Sequence, residues 1–104
     1  MSEARIEPGV EGELRLAGVL DYRTGPALRE AGRALISGSR VPLTLDCSAV
    51  ERSSSVGLSL LLAFMRDAKA AGVGLRVAAL PADMLKIAKV SGLLDIIPLK
   101  TSQA

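Results

Sequence analysis

The stretch LTLDCSAVERSSSVGLSLLLAF, residues 43–64, decides the fold, because a strand-like run changes into a helix-like run within it. The apolar residues of its second part recur at helical spacing, which predicts a helix beginning at about Gly57. Three serines, Ser53, Ser54 and Ser55, separate the two parts. One hydroxyl is enough to cap a helix, so the other two need a different explanation.

The sequence on either side of this stretch predicts alternating strands and helices. The expected order is strands at residues 4–7 and 13–20, a helix within 21–38, a strand within 40–48, the central helix to Gly72, a strand within 74–80, a helix within 81–92 and a strand within 95–100. In the first helix Thr24 is expected to cap, and Leu28, Ala31 and Leu35 repeat at helical spacing. Such alternation implies right-handed crossovers and a largely parallel α/β sheet with an N-terminal edge hairpin.

The length and composition indicate the class of protein. A chain of 104 residues has room for one core, so we predict a single domain over residues 1–104. Its 13 basic and 11 acidic side chains are scattered, which argues against nucleic acid as a partner. No signal peptide is recognisable, and no run approaches the roughly 20 apolar residues of a membrane span. We therefore expect a cytoplasmic protein that does not insert directly into a membrane.

The side chains needed for catalysis are few. There is no histidine, which removes the commonest general base and metal ligand. The lone cysteine, Cys47, has no cysteine to pair with and is expected to be a buried small side chain. Gly72 and Gly74 lie between a helix and a strand, the wrong order for a phosphate-binding loop, and no lysine accompanies them. We expect no catalytic residue, metal or cofactor, and favour a binding module over an enzyme.

The three serines allow two interpretations. A helix beginning near Gly57 has unpaired backbone N–H groups that Ser54 or Ser55 can cap. In an α/β fold, however, the turn from strand to helix also faces the binding surface, and the helix dipole favours a phosphate there. The turn is therefore suited to a partner, or to phosphorylation of Ser55 or Ser54. Ser53 is expected to have no special role.

The apolar residues of the central helix fall into two sets. The sheet-facing stripe comprises Leu58, Leu61, Leu62, Met65 and Ala68. Leu60 and Phe64 lie off that stripe and either fill the rim of the core or form an exposed apolar pair beside the serines. In the second interpretation this pair marks a protein interface, through which the isolated domain could also form a homodimer.

The central stretch resembles the STAS domain family of anti-sigma factor antagonists and sulfate-transporter C-terminal domains. That family has the pattern Asp-Leu-Ser, then Val, then Asp-Ser/Thr-x-Gly-Leu, and the matching residues are Asp46, Ser48, Val50, Ser55, Gly57 and Leu58. Three segments, LAGVLDYRTGPALREAG, GLSLLLAFMRDAKAAGVGLRV and LPADMLKIAKVSGLLDIIPL, are similar to the MlaB-type STAS subunit of the Mla phospholipid ABC transporter. The resemblance covers residues 13–99 and implies the STAS fold: a mixed, mostly parallel sheet with an N-terminal edge hairpin and helices packed against it.

The same resemblance implies a function. An MlaB-type protein would be a non-enzymatic accessory subunit that binds the cytoplasmic ATPase of the transporter and supports lipid transport and outer-membrane lipid asymmetry. It would be associated with the inner membrane through the complex. The implied partner-binding residues are Ser54, Ser55, Val56, Gly57, Leu60 and Phe64, with Ser55 where the MlaB-type branch has a Thr at the partner interface.

The alternative within the family is an anti-sigma factor antagonist regulated by serine phosphorylation at Ser55 or Ser54. Where the family often has Asp before the Ser/Thr, this chain has Ser54, and Val56 stands where a small residue is common. The loss of the acidic residue disfavours a phosphorylation switch more than it disfavours docking. The departure therefore favours the transporter branch.

Overall fold

The computed structural model of the chain describes residues 4–99, which form a four-stranded sheet, three α-helices and a short 3₁₀ helix. In chain order the elements are β1 (Arg5–Pro8), β2 (Glu13–Leu20), α1 (Gly25–Ser37), β3 (Leu43–Ser53), α2 (Ser55–Ala71), β4 (Leu75–Ala78), α3 (Ala82–Val90) and the 3₁₀ helix (Leu94–Ile96). The predicted alternation of strands and helices is confirmed up to α3.

The four strands lie side by side in sequence order. β1 and β2 form an antiparallel hairpin at one edge, and β2, β3 and β4 run parallel. Their crossovers contain α1 and α2, as parallel neighbours require. The predicted mixed, mostly parallel sheet with an N-terminal edge hairpin is confirmed.

β3 is longer than the strand predicted within residues 40–48, because it continues to pair with β2 up to Ser53, opposite Leu20. The register shifts twice along this pairing, once between Arg15 and Ala17 and once between Gly18 and Val19. Such bulges add residues to one strand without ending the ladder. The serines therefore follow the strand directly.

The helices form one layer against one face of the sheet. Leu43, Leu45 and Cys47 alternate along β3 and are buried, whereas Thr44 and Asp46 between them are half-buried. α1 packs on α2, and α2 packs on α3. The buried position expected for Cys47 is confirmed. Within residues 4–99 no helix combines the length and the apolar character that a bilayer crossing needs.

α1 buries only part of the face that the sequence suggested. Its buried residues are Gly25, Leu28, Gly32 and Ile36. Ala31 is exposed and Leu35 is half-buried. Both sets fit helical spacing, and packing decides between them: Gly32 has no side chain, so the ring of Phe64 can lie against this part of the helix.

Thr24 precedes α1 but does not cap it. Its hydroxyl donates to the carbonyl of Val19 (2.9 Å) and accepts from the N–H of Asp21 (3.0 Å). The Asp21 carboxylate in turn accepts from the N–H of Thr24 at 3.2 Å. These bonds stabilise the turn between β2 and α1, because the hydroxyl faces back towards the strand.

The strand predicted within residues 95–100 is largely wrong. Leu94–Ile96 forms a 3₁₀ helix, and the pairing of this segment with the sheet is, up to Leu99, limited to a bridge between Val77 and Leu99. The N–H of Val77 donates to the carbonyl of Pro98 at 2.9 Å. Pro98 has no N–H of its own, so it cannot continue a ladder. Lys100, the last residue of the predicted strand, lies outside the described residues.

Candidate functional site

The serine turn, residues 53–57, joins the end of β3 to the first turn of α2. α2 begins at Ser55, slightly before the predicted start, and Ser54 is its N-cap. Ser54 has an extended backbone (φ −87°, ψ −173°), and its hydroxyl accepts from the N–H of Val56 at 3.1 Å. Of the two capping candidates, the structure selects Ser54.

Ser53, for which the sequence predicted no special role, holds the serine turn in place, so that prediction is wrong. Its N–H donates to Oδ2 of Asp83 at 3.0 Å, and its hydroxyl donates to the carbonyl of Ser54 at 2.8 Å. A Cβ added to Gly57 would overlap the Ser53 hydroxyl and would lie 3.2 Å from Cδ1 of Leu20. Gly57 therefore lets α2 start directly against the ends of β2 and β3.

Ser55 is the serine left facing solvent. It is exposed as the first residue of α2, and within residues 4–99 its hydroxyl has no hydrogen-bond partner. The first turn of α2 contains no acidic residue, so nothing there offsets the positive end of the helix dipole. A free hydroxyl at such a position can bond to an acceptor on another molecule.

The serine turn lies where the carboxyl ends of the parallel strands meet and the three helices begin. The N–H of Ser54 donates to the carbonyl of Leu20 at 3.0 Å, which joins the turn to the end of β2. Two residues after Leu20 in the chain, Tyr22 is 75% exposed, and the Arg23 guanidinium lies 5.9 Å from the centre of the Tyr22 ring. Val56 and Pro26 line a shallow apolar groove between the first turns of α1 and α2.

Leu60 and Phe64 are not an exposed pair. Phe64 is 0% exposed and Leu60 is 4% exposed, because α1 covers both. The interpretation as a surface interface, and with it self-association through that surface, is wrong, and the interpretation as core is correct. α2 packs on the sheet and beside α1 within the same layer, so it needs two buried faces rather than one.

The remaining polar groups near β3 do not form a reactive centre. Burial, and then the nearby Asp46 carboxylate, raise the pKa of Cys47 to about 12, so the thiolate nucleophile is not accessible at neutral pH. The pKa of Asp46 is lowered, chiefly by the backbone N–H of Ser48, which donates to its Oδ1 at 2.9 Å. Within the described residues no three Asp, Glu or Cys side chains are grouped to hold a metal.

Asp83 lies at the site although its sequence position did not predict it there. Its two carboxylate oxygens accept from the N–H of Ser53 (3.0 Å) and from the N–H of Met84 (2.8 Å). An acidic residue in the first turn of a helix is a recognisable signal for capping α3. No local pattern, however, links it to a backbone amide at the end of another strand.

We expect Asp83→Ala to loosen the serine turn, because it leaves the half-buried N–H of Ser53 without its acceptor. Losing such a partner costs about 1–3 kcal/mol of stability. Amide hydrogen exchange should accelerate at Ser53 and along the serine turn, and thermal unfolding should occur at lower temperature. Asp83→Asn keeps an acceptor oxygen and should show a smaller effect. Unchanged exchange at Ser53 in Asp83→Ala would contradict this role.

Comparison with known proteins gives a consistent set of matches. A family model described as MlaB, STAS domain, matches residues 4–98. A chain of the Acinetobacter MlaFEDB complex in an ATP-bound conformation is 26% identical, with a TM-score of 0.76, over 88% of this chain and 97% of that chain. No curated protein matches the sequence significantly.

Two further solved structures are also similar to this chain. An anti-sigma factor antagonist from Mycobacterium paratuberculosis is 29% identical, with a TM-score of 0.76, over 96% of this chain and 86% of that chain. The phosphorylated Bacillus cell fate determinant SpoIIAA is 20% identical, with a TM-score of 0.66, over 96% of this chain and 93% of that chain. The last likeness concerns the fold alone.

Proposed function

Because the chain belongs to the MlaB-type STAS domain family, we propose that it is a non-enzymatic subunit that binds the cytoplasmic ATPase of an Mla-type phospholipid ABC transporter. It would support assembly or activity of that transporter, and so outer-membrane lipid asymmetry, while held at the cytoplasmic side of the inner membrane by the complex. One observation carries this proposal: the likeness to a chain of the Acinetobacter MlaFEDB complex extends over 97% of that chain.

We place the ATPase contact at the serine turn. Ser55 offers a free hydroxyl and Val56 a half-exposed apolar side chain, and these supply the contacting atoms. Ser54 and Gly57 act on the shape of the turn, the first as N-cap and the second by allowing close approach to Ser53. A small polar and apolar contact of this kind, on a rigid helix end, suits a specific protein interface.

The Ser55→Arg variant tests this placement. We expect tagged wild-type protein to copurify an ABC-type ATPase from its native host and the variant to copurify at least about tenfold less, because a long charged side chain would enter the interface. Ser37→Arg is the matched control. Ser37 is exposed and is the last residue of α1, whose first turn, not its last, lies near the serine turn. Equal recovery of the ATPase with Ser55→Arg and wild type would contradict the placement.

A second candidate function is that of an anti-sigma factor antagonist controlled by phosphorylation. The 29% identity to the Mycobacterium paratuberculosis antagonist favours it. Of the two candidate acceptors, Ser55 is the better one, because the Ser54 hydroxyl is engaged as the N-cap. Mass spectrometry of the peptide 53–66 from the same purification separates the two functions: an ABC-type ATPase with unmodified serines supports transport, and phosphate on Ser55 with a kinase-like partner supports signalling.

A further inference from the structure

α2 has a second apolar surface on the side of the helix opposite α1. Leu62 and Met65 were assigned to the sheet-facing stripe, yet both are half-exposed. They lie about half a helical turn from Leu60 and Phe64, which face α1. Ile96 of the 3₁₀ helix is 55% exposed beside them. These apolar side chains are therefore only partly covered by the fold.

The exposed residues line a shallow groove that is open to solvent. One hollow is lined by Leu62, Met65, Arg66, Lys69 and Ile96. A second hollow shares three of these residues and continues towards the C-terminal segment, where it is lined also by Ala68, Val73, Leu75 and Pro98. The two hollows form one groove between α2 and the 3₁₀ helix, here called the α2 groove.

The rim of the α2 groove is basic. Arg66 and Lys69 both line it, and among the ion pairs within residues 4–99 neither takes part. The acidic residue that follows Arg66, Asp67, lies on the other side of α2 and pairs with Arg29 of α1. The groove thus combines an apolar floor with two basic side chains that form no ion pair with a described carboxylate.

We propose that the α2 groove binds an acidic amphipathic helix of a partner protein. Such a helix can place an apolar stripe in the hollow while its Asp or Glu side chains face Arg66 and Lys69. A second copy of this chain fits less well, because a symmetric contact would bring two basic rims together. A membrane surface also fits less well, because insertion requires protruding apolar side chains and these line a hollow. The α2 groove shares no lining residue with the serine turn.

The proposal is tested with a designed probe on the isotope-labelled full chain. The probe is a synthetic peptide of about 16 residues, with leucines at helical spacing and glutamates elsewhere, and its matched control carries lysines in place of the glutamates. We expect the acidic peptide alone to shift the amide NMR signals of residues 62–69 and 96. The double variant Arg66→Glu/Lys69→Glu changes exposed residues only. It should prefer the basic peptide and bind it at least about tenfold more tightly than the acidic peptide.

Other occupants are outcomes of the same experiment. Concentration-dependent shifts of these signals in the protein alone would replace the proposal with self-association, and shifts caused by phosphatidylglycerol vesicles but not by peptide would replace it with membrane binding. Equal binding of both peptides, or no binding, would overturn it. Ser55→Arg should bind the acidic peptide like wild type, and the double variant should still copurify the ATPase. Failure at one surface is therefore distinguishable from failure at the other.

Discussion

The Phe64→Ala substitution is expected to lower the free energy of unfolding by about 3–5 kcal/mol, which is a large part of the roughly 5–15 kcal/mol available to a domain of this size. Phe64 is the largest fully buried side chain, and its ring fills the space between α2 and α1. The cavity left by alanine cannot close without moving one helix. Chemical denaturation of both proteins measures the loss, provided that the free energy of unfolding falls with denaturant concentration at the same slope in each. A loss below about 1 kcal/mol would contradict this packing.

Gly32 provides the matched control for that contact. A Cβ at this position would lie 2.5 Å from Cζ of Phe64, so Gly32→Ala should destabilise the protein by about 1–3 kcal/mol, although alanine is the better helix former. In the Phe64→Ala background the ring is gone, and the same substitution should become neutral or stabilising. An equal cost of Gly32→Ala in both backgrounds would show that the ring is not the cause.

A second large effect is expected at alkaline pH and arises from Cys47. Burial raises the pKa of its thiol from 9.0 to about 12. Below pH 9 both the folded and the unfolded chain carry the neutral thiol, so pH has no effect through this group. Between pH 9 and about 12 only the unfolded chain ionises, so the free energy of unfolding should fall with rising pH, by up to about 4 kcal/mol in total.

Comparison with Cys47→Ala isolates this contribution. The variant loses some packing and should be less stable at neutral pH, but its stability should fall less steeply above pH 9. Urea denaturation of both proteins at several pH values gives the two slopes. Parallel slopes would mean that the thiol ionises equally well in the folded and unfolded chains. The native thiol should also react with a thiol reagent only as fast as the protein opens.

The order of elements was predictable because it depends on local periodicity. β2 spans Glu13–Leu20, the bounds expected from the sequence, and burial alternates over its first four residues. α2 ends at Ala71, and the following Gly72, whose φ is 70°, forms its C-cap. The last strand was not predictable, because the hydrophobic run of residues 95–100 contains Pro98, and whether it pairs depends on the edge that β4 offers. The extension of β3 to Ser53 likewise depends on bulges in its pairing with β2.

The serine turn was likewise predictable in part from the sequence and decided in part by the tertiary structure. From the sequence alone, a cap at Ser54 or Ser55 was expected, because unpaired N–H groups at a helix start require an acceptor nearby in the chain. Which serine caps, which one braces the turn and which one faces solvent depends on Asp83 and Leu20, both distant in sequence. The assignment of residues 54–57 to partner binding stays a prediction.

The sequence by itself determined the class of fold, the aliphatic core and the position of the serine turn at a strand-to-helix junction, because these follow from residue spacing over one or two turns or strands. Only the tertiary structure decided that Leu60 and Phe64 are core, and that Leu62 and Met65 are half-exposed. The physical reason is that burial of a helix face depends on what packs against it. Here a glycine in α1 admits the Phe64 ring, whereas α3, which also packs on α2, leaves Leu62 and Met65 half-exposed.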